Sequence, residues 1–371
     1  MKPFRLLPFL ATAGLLFLAA CTEPVEPVFQ FETGFLLVDG RITDTPGYSE
    51  VTVARNEIVF GDYQLQPVAG VAVSSVSTDG EETAWELIDA ATGRFAAPEG
   101  WVARRGQEYS IRVTTPAGEI VESAPEPVPV NVPIQDACVD FEQEAFFNNN
   151  LDRFVPAFFL RVDVDDPADE QNFYQWNYTT FQTIEICATC ERSRWRDGRC
   201  IAGPDTRFVS RWDYLCDARC WISSRGQNVN ILRDEFSNGQ TITDIEAGRV
   251  TYERPGRLLF DLQQYNISAA AFRYARTLRD LSEGAGGLNA PLPAALVGNL
   301  TDVGATETPV LGFVGVSSVS NERIMILRDT FDGMSLPYDG SIIPEPVMPA
   351  PPVAPCVGGT RSRIQPEGWV D

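Results

Sequence analysis

The chain has 371 residues, 44% of them hydrophobic, with 29 glycines and 27 prolines, which suits two or three β-rich, loop-rich domains. Its net charge of −22 makes nucleic acid and anionic lipid poor partners. There is no histidine, so Ser-His-Asp and Cys-His catalysis and histidine-ligated metal sites are excluded.

The N-terminus has the composition of a lipoprotein signal peptide, predicted at 1–20. Lys2 and Arg5 precede an apolar run, which ends in Leu-Ala-Ala-Cys21. Bacterial lipoproteins are cleaved and lipidated at this pattern, so we predict a lipid anchor on Cys21. A plain secretory signal cut after Ala20 is the alternative, and the run is short for a spanning helix. Lys2 is the only lysine, so the mature chain has none, which excludes Schiff-base chemistry.

A short proline-containing tether at 21–30 leads into a predicted antiparallel β-sandwich at 31–123. Its strands are short β-rich segments separated by turn signals such as Asp79-Gly80. We predict them at 35–42, 50–54, 70–76, 109–115 and 119–123. The proline-rich segment 124–133 is predicted to be a linker or an edge.

A second β-rich domain is predicted at 134–342, followed by a proline-rich tail at 343–371. One helix is expected at 268–283, where Ser268 is a plausible N-cap and apolar residues recur at helical spacing. Strands are predicted at 157–164, 173–186, 250–262, 310–317 and 323–327. An insertion rich in cysteine, arginine and tryptophan interrupts this domain at 187–225.

Seven cysteines follow Cys21, and they are candidates for disulfide bonds because an exported protein enters an oxidising compartment. They are Cys138, Cys187, Cys190, Cys200, Cys216, Cys220 and Cys356. Zinc binding and thiol–disulfide exchange are the less favoured alternatives, and we predict no metal or cofactor. Spacing does not define the pairing, and an odd number leaves at least one cysteine unpaired or intermolecular. We expect bridges within the insertion, with Cys138 or Cys356 available to join the tail to the core.

The insertion is locally basic in an acidic chain, and tryptophans alternate with its arginines. Arginine and tryptophan are enriched at interface hot spots, and they also suit an anionic or sugar-like ligand. The candidate partner-binding or ligand-binding residues are Arg192, Arg194, Trp195, Arg196, Trp212 and Trp221. The alternative is a disulfide-pinned loop whose arginines pair with the acidic remainder of the chain.

An acidic segment at 163–170 offers carboxylates to calcium. Its acids are Asp163, Asp165, Asp166, Asp169 and Glu170. The spacing does not match an EF-hand loop, so a solvated acidic turn is the alternative.

The chain resembles outer-membrane lipoproteins of the Bacteroidota that carry domain-of-unknown-function family 4249. The segments that support this resemblance are 37–44 (LVDGRITD), 67–71 (PVAGV), 172–178 (NFYQWNY), 220–221 (CW), 298–300 (GNL), 310–313 (VLGF), 319–320 (VS), 358–360 (GGT) and 366–369 (PEGW). Such tails often have two cysteines before Gly-Gly-Thr, whereas only Cys356 is present here, which makes Cys356 a candidate for the unpaired cysteine.

The resemblance implies an outer-membrane, lipid-anchored protein on the periplasmic or cell-surface side. It implies an immunoglobulin-like or carboxypeptidase-regulatory-like first domain and no catalytic residues. We therefore expect a non-enzymatic binding or accessory component that works with a TonB-dependent receptor in nutrient uptake or envelope assembly. A structural envelope protein without a ligand is the alternative, and a carboxylate-based glycoside hydrolase is the least favoured one.

Overall fold

The computed structural model describes residues 34–371 except 61, 169, 204–205, 207–210, 285–295, 305, 307 and 348. The predicted signal peptide, Cys21 and the tether lie outside the described residues. Strands dominate the remainder, and its one α-helix is α1 (Ala269–Gly284), which confirms the prediction of a mainly β fold. Among the described residues, no helix is both long enough and apolar enough to span a membrane.

The first part of the chain forms two packed layers of strands. The strands are β1 (Leu36–Thr43), β2 (Glu50–Val59), β3 (Asp62–Pro67), β4 (Ala72–Ser77), β5 (Glu82–Ala84), β6 (Glu86–Asp89), β7 (Arg94–Ala96), β8 (Glu108–Thr114), β9 (Ile120–Ser123) and β10 (Glu126–Pro127). One layer contains β1, β2, β3, β6 and β7, and the other contains β4, β5, β8, β9 and β10. Leu36, Val38 and Ile42 alternate along β1 and are fully buried with Ile111 and Val113 of β8.

The second part of the chain adds longer strands and the helix. These strands are β11 (Ile134–Asn148), β12 (Arg153–Asp165), β13 (Phe173–Glu191), β14 (Arg194–Arg196), β15 (Arg199–Ile201), β16 (Arg211–Arg225), β17 (Asn230–Arg233), β18 (Thr241–Thr251), β19 (Arg257–Asn266), β20 (Leu300–Asp302), β21 (Val310–Leu311), β22 (Val314–Leu327) and β23 (Arg361–Ser362). The three-stranded sheet β11-β12-β18 packs its apolar residues against one face of β13, β19 and β22. Trp176 and Phe260 are fully buried in this second core.

Strand β22 belongs to both parts of the molecule and joins them into one sheet, ordered β23-β16-β13-β19-β22-β1-β2-β7-β6. It pairs in parallel with β1 and in antiparallel fashion with β19. Val314 and Val316 pack into the first core, whereas Ile324 and Ile326 pack into the second. Residues of one parity share one face of a strand, so both cores lie on the same side of the continuous sheet. The opposite side of this sheet faces neither core.

The predicted first domain is completed by residues from far outside 31–123. Leu300 and Val310 pack against its core, and β20 pairs with β9. The domain boundaries stay a prediction. Strands from before and after the 124–133 segment nevertheless belong to the same sheets. Within that segment β10 pairs with the first two residues of β8, Glu108 and Tyr109.

Three predicted strand segments differ from the structure in how they are divided. The segment 250–262 contains a turn at Pro255-Gly256 that separates the end of β18 from β19. The segments 310–317 and 323–327 are instead largely one strand, β22, preceded by the two-residue β21. Gly312 breaks β21 from β22 with φ of 112°, and a Cβ there would lie 2.0 Å from the Val38 carbonyl oxygen.

The helix forms where the sequence predicts it. Ser268 Oγ accepts a hydrogen bond from the Ala271 backbone N–H at 3.0 Å, as an N-cap does, and donates to Glu126 Oε1 at 2.7 Å. Phe272 and Ala275 are buried on the helix face that packs against the sheet. The helix therefore covers part of the sheet face opposite the two cores.

Candidate binding cleft and disulfide-braced surface

The predicted insertion is built from extensions of β13 and β16 with the small hairpin β14-β15 beside them. Three disulfide bonds brace it. Cys187 pairs with Cys216, Cys190 with Cys200, and Cys220 with Cys356, at Cα–Cα distances of 4.7, 5.5 and 5.6 Å. The prediction of disulfide bonds is confirmed. Two of them join strands within the insertion, and the third fastens the C-terminal tail to β16.

The unpaired cysteine of the described chain is Cys138, and the expectation from the resemblance that Cys356 is unpaired is wrong. The tail runs along β16 and brings Cys356 to Cys220, whereas Cys138 lies exposed on β11. Partial enclosure raises the pKa of the Cys138 thiol, and neighbouring carboxylates, with Asp140 foremost, raise it further. Cys138 is therefore a weak nucleophile at neutral pH.

The sulfur atoms of Cys187, Cys220 and Cys356 lie within 4.8 Å of one another. All three belong to disulfide bonds, so they offer no thiolates to a metal ion. Their proximity reflects two neighbouring bridges that share one buried cluster.

Two of the predicted contact arginines bind the tail of the same chain. The Glu345 side chain, only 1% exposed, accepts hydrogen bonds from both Nη atoms of Arg196 at 2.7 and 2.9 Å. Arg194 Nε lies 3.1 Å from Glu345 Oε1, and Tyr214 donates to Oε2 at 2.6 Å. The hydrogen bonds from Arg196 lower the pKa of Glu345 against the opposing effect of burial. This is the internal pairing that the sequence left as the alternative.

The tryptophans of the insertion are also engaged in packing. Trp195 and Trp212 are half-buried against the disulfide cluster. Trp221 is 4% exposed and packs edge-on against Trp369 of the tail, with ring centres 6.2 Å apart. The tail is held further by Arg219, which pairs with the Asp371 carboxylate. Most of the aromatic surface predicted for a partner is therefore inside the protein.

Arg192 remains on the surface, as does Arg199, which the sequence did not single out. Both are exposed, and Arg192 has a positive φ of 46° at the turn after β13. Arg192, which was predicted as a contact residue, and Arg199, which was not, are therefore both within reach of a partner.

Three of the described acids of the 163–170 segment form local hydrogen bonds, and the fourth, Glu170, is exposed. Asp163 accepts from the Asp244 backbone N–H at 2.9 Å, and Asp165 accepts from the Thr241 hydroxyl at 2.6 Å. Asp166 is buried and accepts from the Tyr174 hydroxyl. Asp169 lies outside the described residues. Among those described, the segment brings no three carboxylates to one point.

A polar cleft of about 550 Å³, which the sequence analysis did not predict, opens on the sheet face opposite the two cores. Its floor combines β1, β2 and β7 of the first part with β13 and β19 of the second, and β22 lies between them. Helix α1 and residues 226–229 form its walls. The cleft therefore exists only because β22 joins the two parts of the chain.

Strand register explains which residues line the cleft. In β1 the residues that alternate with the buried Leu36 and Val38 point the other way, and among them is Asp39, which pairs directly with Thr52. In β13 Asn177 pairs with Gln263 of β19 in the same way. Each floor strand thus places an apolar set in a core and a polar set in the cleft.

Opposite charges in and around the cleft are already paired. Arg94 Nη2 lies 3.0 Å from Glu50 Oε1, and Arg323 Nε lies 3.7 Å from Asp261 Oδ1. The cleft therefore has little net charge with which to attract an ionic ligand.

Arg41 is the central cation of the cleft floor. Its guanidinium carbon lies 3.7 Å from the centre of the Tyr265 ring, a cation–π contact, and Nη2 donates to Gln175 Oε1 at 3.5 Å. Its Nη1 is buried and has no hydrogen-bond partner among the described residues. A buried donor without a partner is unusual in a native protein.

Asp39 and Tyr274 both line the cleft. Asp39 is solvent-accessible, yet the enclosing walls withdraw water from it and raise its pKa, while Arg41 and the Phe313 backbone oppose that shift. Burial, assisted by Asp39, raises the pKa of Tyr274 to about 12, so this residue is a neutral hydroxyl at physiological pH. Its ring stacks on Phe313 with centres 5.0 Å apart. The arrangement offers hydrogen-bond donors and acceptors beside aromatic rings.

Two of the sequence segments that support the family resemblance supply residues that line the cleft. Segment 37–44 supplies Asp39 and Arg41, and segment 172–178 supplies Gln175 and Asn177. Comparison with curated proteins finds no significant match. The model of a family described as a domain of unknown function, DUF4249, matches residues 22–323, a span that contains every floor strand of the cleft. The chain therefore belongs to this family.

Proposed function

We propose that this protein is an outer-membrane, lipid-anchored binding protein without enzymatic activity. It works beside a TonB-dependent receptor in nutrient uptake or envelope assembly. Its ligand binds in the cleft. The lipid is carried by Cys21. The observation that carries the proposal is the polar cleft of about 550 Å³ at the junction of the two parts.

Export to an oxidising compartment is supported by the disulfide bonds. Six of the eight cysteines in the sequence form three bridges. Such bridges are rare in a reducing cytosol and common in the periplasm and on cell surfaces. They agree with the signal pattern that ends at Cys21.

A neutral, hydroxyl-rich ligand is supported by the chemistry of the cleft. The amide side chains of Gln175, Asn177 and Asn228 each present donors and acceptors, as sugar hydroxyls require. Charge pairing within the lining disfavours a strongly ionic ligand. The volume lies within the range of small-molecule sites and suits a few sugar units. We therefore assign the ligand class as neutral oligosaccharides.

Replacing Arg41 with methionine should weaken oligosaccharide binding at least tenfold, because a hydrogen bond from a charged donor contributes roughly 1.5–3 kcal/mol. Methionine retains much of the packing over Tyr265. The measurement is titration calorimetry with neutral hexasaccharides of glucose, xylose and mannose. Arg192→Met, on the surface outside the cleft, is the matched control and should bind as the wild type does. Absence of binding by every hexasaccharide, or equal affinity in both variants, would contradict the ligand assignment.

Partner binding is tested separately at the exposed arginines. Changing Arg192 and Arg199 to serine should at least halve recovery of a TonB-dependent receptor from detergent-solubilised outer membranes, quantified by mass spectrometry. Arg153→Ser with Arg276→Ser, two exposed arginines elsewhere, is the charge-matched control. Arg194 and Arg196 are unsuitable for this test because their loss would also release Glu345 of the tail. Unchanged recovery would remove these arginines from the contact, and absence of any such receptor from the wild-type sample would contradict the accessory role.

A further inference from the structure

The hairpin formed by β2 and β3 projects beyond the sheet that carries it. β1 pairs with β2 only as far as Leu36 opposite Arg55, whereas β2 and β3 continue to pair outward to Val59 opposite Asp62. Both faces of the outer hairpin are consequently open to solvent. Large apolar side chains are nevertheless concentrated there, in Ile58, Phe60, Tyr63 and Leu65, which are 54%, 102%, 49% and 54% exposed.

Register makes this hairpin amphipathic. Ile58 lies directly opposite Tyr63, and Leu65 follows two residues later on the same face. The opposite face presents Glu57 paired with Gln64. An apolar side and an acidic side are thus separated across a two-stranded ribbon.

Phe60 directly follows β2 at the turn, fully exposed and with φ of +53°. A bulky aromatic residue rarely adopts a positive φ, because its Cβ then crowds the backbone. Glycine and asparagine fit that conformation with less strain. Phe60 therefore keeps its aromatic ring in solvent at a conformational cost. This cost indicates that the ring contacts a surface outside the protein.

The chain enters the folded body at the root of the same hairpin. The Gly34 backbone N–H donates to Asn56 Oδ1 at 2.8 Å, and the Phe35 N–H donates to the same oxygen at 3.0 Å. The segment between Cys21 and Gly34 reaches at most about 45 Å when fully extended. Phe60 lies about 13 Å along the strand from Asn56. A bilayer that holds a lipid on Cys21 is therefore within reach of the hairpin tip.

We propose that the outer β2–β3 hairpin is a bilayer contact, with Ile58, Phe60, Tyr63 and Leu65 entering the interfacial layer of the membrane that anchors Cys21. This rests on the lipidation included in the proposed function. Aromatic side chains favour the membrane interface, and aliphatic ones favour the acyl region below it. The acidic face turns away from the lipid. Because the chain carries a net charge of −22, contact should be stronger on zwitterionic than on anionic bilayers.

The test uses two adjacent positions on opposite faces of β2, Ile58→Cys and Glu57→Cys, each labelled with the environment-sensitive dye NBD. Cys138→Ser in both variants removes the exposed thiol. Full-length lipidated protein is reconstituted into phosphatidylcholine vesicles, and emission is compared with that of the Cys21→Ser soluble form. We expect a blue shift and at least a twofold rise in emission at position 58 and not at 57, quenched by doxyl-labelled lipid. Phe60→Ser should reduce this rise by half or more.

Other results overturn the proposal. Equal emission at positions 57 and 58 in vesicles removes the bilayer contact. A rise at 58 without vesicles that grows with protein concentration indicates a second copy of the chain, and a rise only in receptor-containing membranes indicates a protein partner. Mass spectrometry of the N-terminal peptide reports lipidation independently. If Cys21 carries no lipid, the anchor has failed, and adding vesicles to the soluble protein still tests the hairpin.

Discussion

Replacing Cys220 and Cys356 together with alanine is expected to lower the free energy of unfolding by up to about 5 kcal/mol. The bridge closes a loop with a sequence separation of 136, and the loss of loop-closure entropy in the unfolded chain grows with that separation. Both cysteines are buried, so alanine avoids placing a hydroxyl group in the cluster. Urea unfolding, monitored by circular dichroism, measures the change.

The matched control is the pair Cys190 and Cys200, whose separation is only 10. The same relation gives a loss of about 3 kcal/mol for that bridge. The Cys220–Cys356 variant should also become sensitive to proteolysis within 343–371, since the covalent attachment of the tail is gone. Equal losses of stability in the two double variants would contradict the loop-length argument, and a protease-resistant tail would show that its noncovalent contacts suffice.

The strands that the sequence predicts well are those with one buried and one exposed face. Tyr109, Ile111 and Val113 alternate with polar residues, and β8 forms there. β11 was not predicted, because both of its faces carry polar or half-exposed residues and the apolar alternation is weak. Helix α1 was predicted to within one residue at each end, because Ser268 caps it and the apolar spacing is regular.

The pairing of distant segments could not be predicted from local patterns. Nothing near Val314 indicates that it will lie beside Gly40, yet this parallel pairing creates both the continuous sheet and the cleft. The disulfide pairing has the same origin, because Cys356 meets Cys220 only after the tail has folded back along β16. Composition identified the cysteines and arginines of the insertion as an unusual group. It could not show what Arg196 binds, because its partner Glu345 lies 149 residues away in the chain.

The position of the cores explains why a binding cleft is available. Both cores use the same face of the continuous sheet, so the other face keeps polar side chains without exposing an apolar layer. Helix α1 covers only part of that face, with Phe272 against Tyr265. The uncovered remainder, between the helix and residues 226–229, is the cleft.

Glu345→Ala is expected to lower the free energy of unfolding by about 3 kcal/mol, because it leaves Arg194 and Arg196 beside an emptied buried position. Both arginines are more than one-third exposed, which keeps the loss at the lower end for a broken buried pair. Asp371→Ala is the control, since its pair with Arg219 joins the same tail to the same strand at an exposed, solvent-screened site and should contribute much less to stability.

The pH dependence of the Glu345 variant has a defined sign. The pKa of Glu345 is lowered in the folded protein, so the unfolded chain binds its proton more readily, starting near the ordinary value of 4.5. The ion pairs therefore stabilise the fold fully above that pH, and their contribution is lost as the pH falls through the folded pKa. Denaturant titrations of wild type and Glu345→Gln should differ most at neutral pH and converge below pH 4.5. A difference that stays constant as the pH falls through the folded pKa as well would mean that glutamine perturbs packing around Tyr214, and that the charge of Glu345 does not hold the tail.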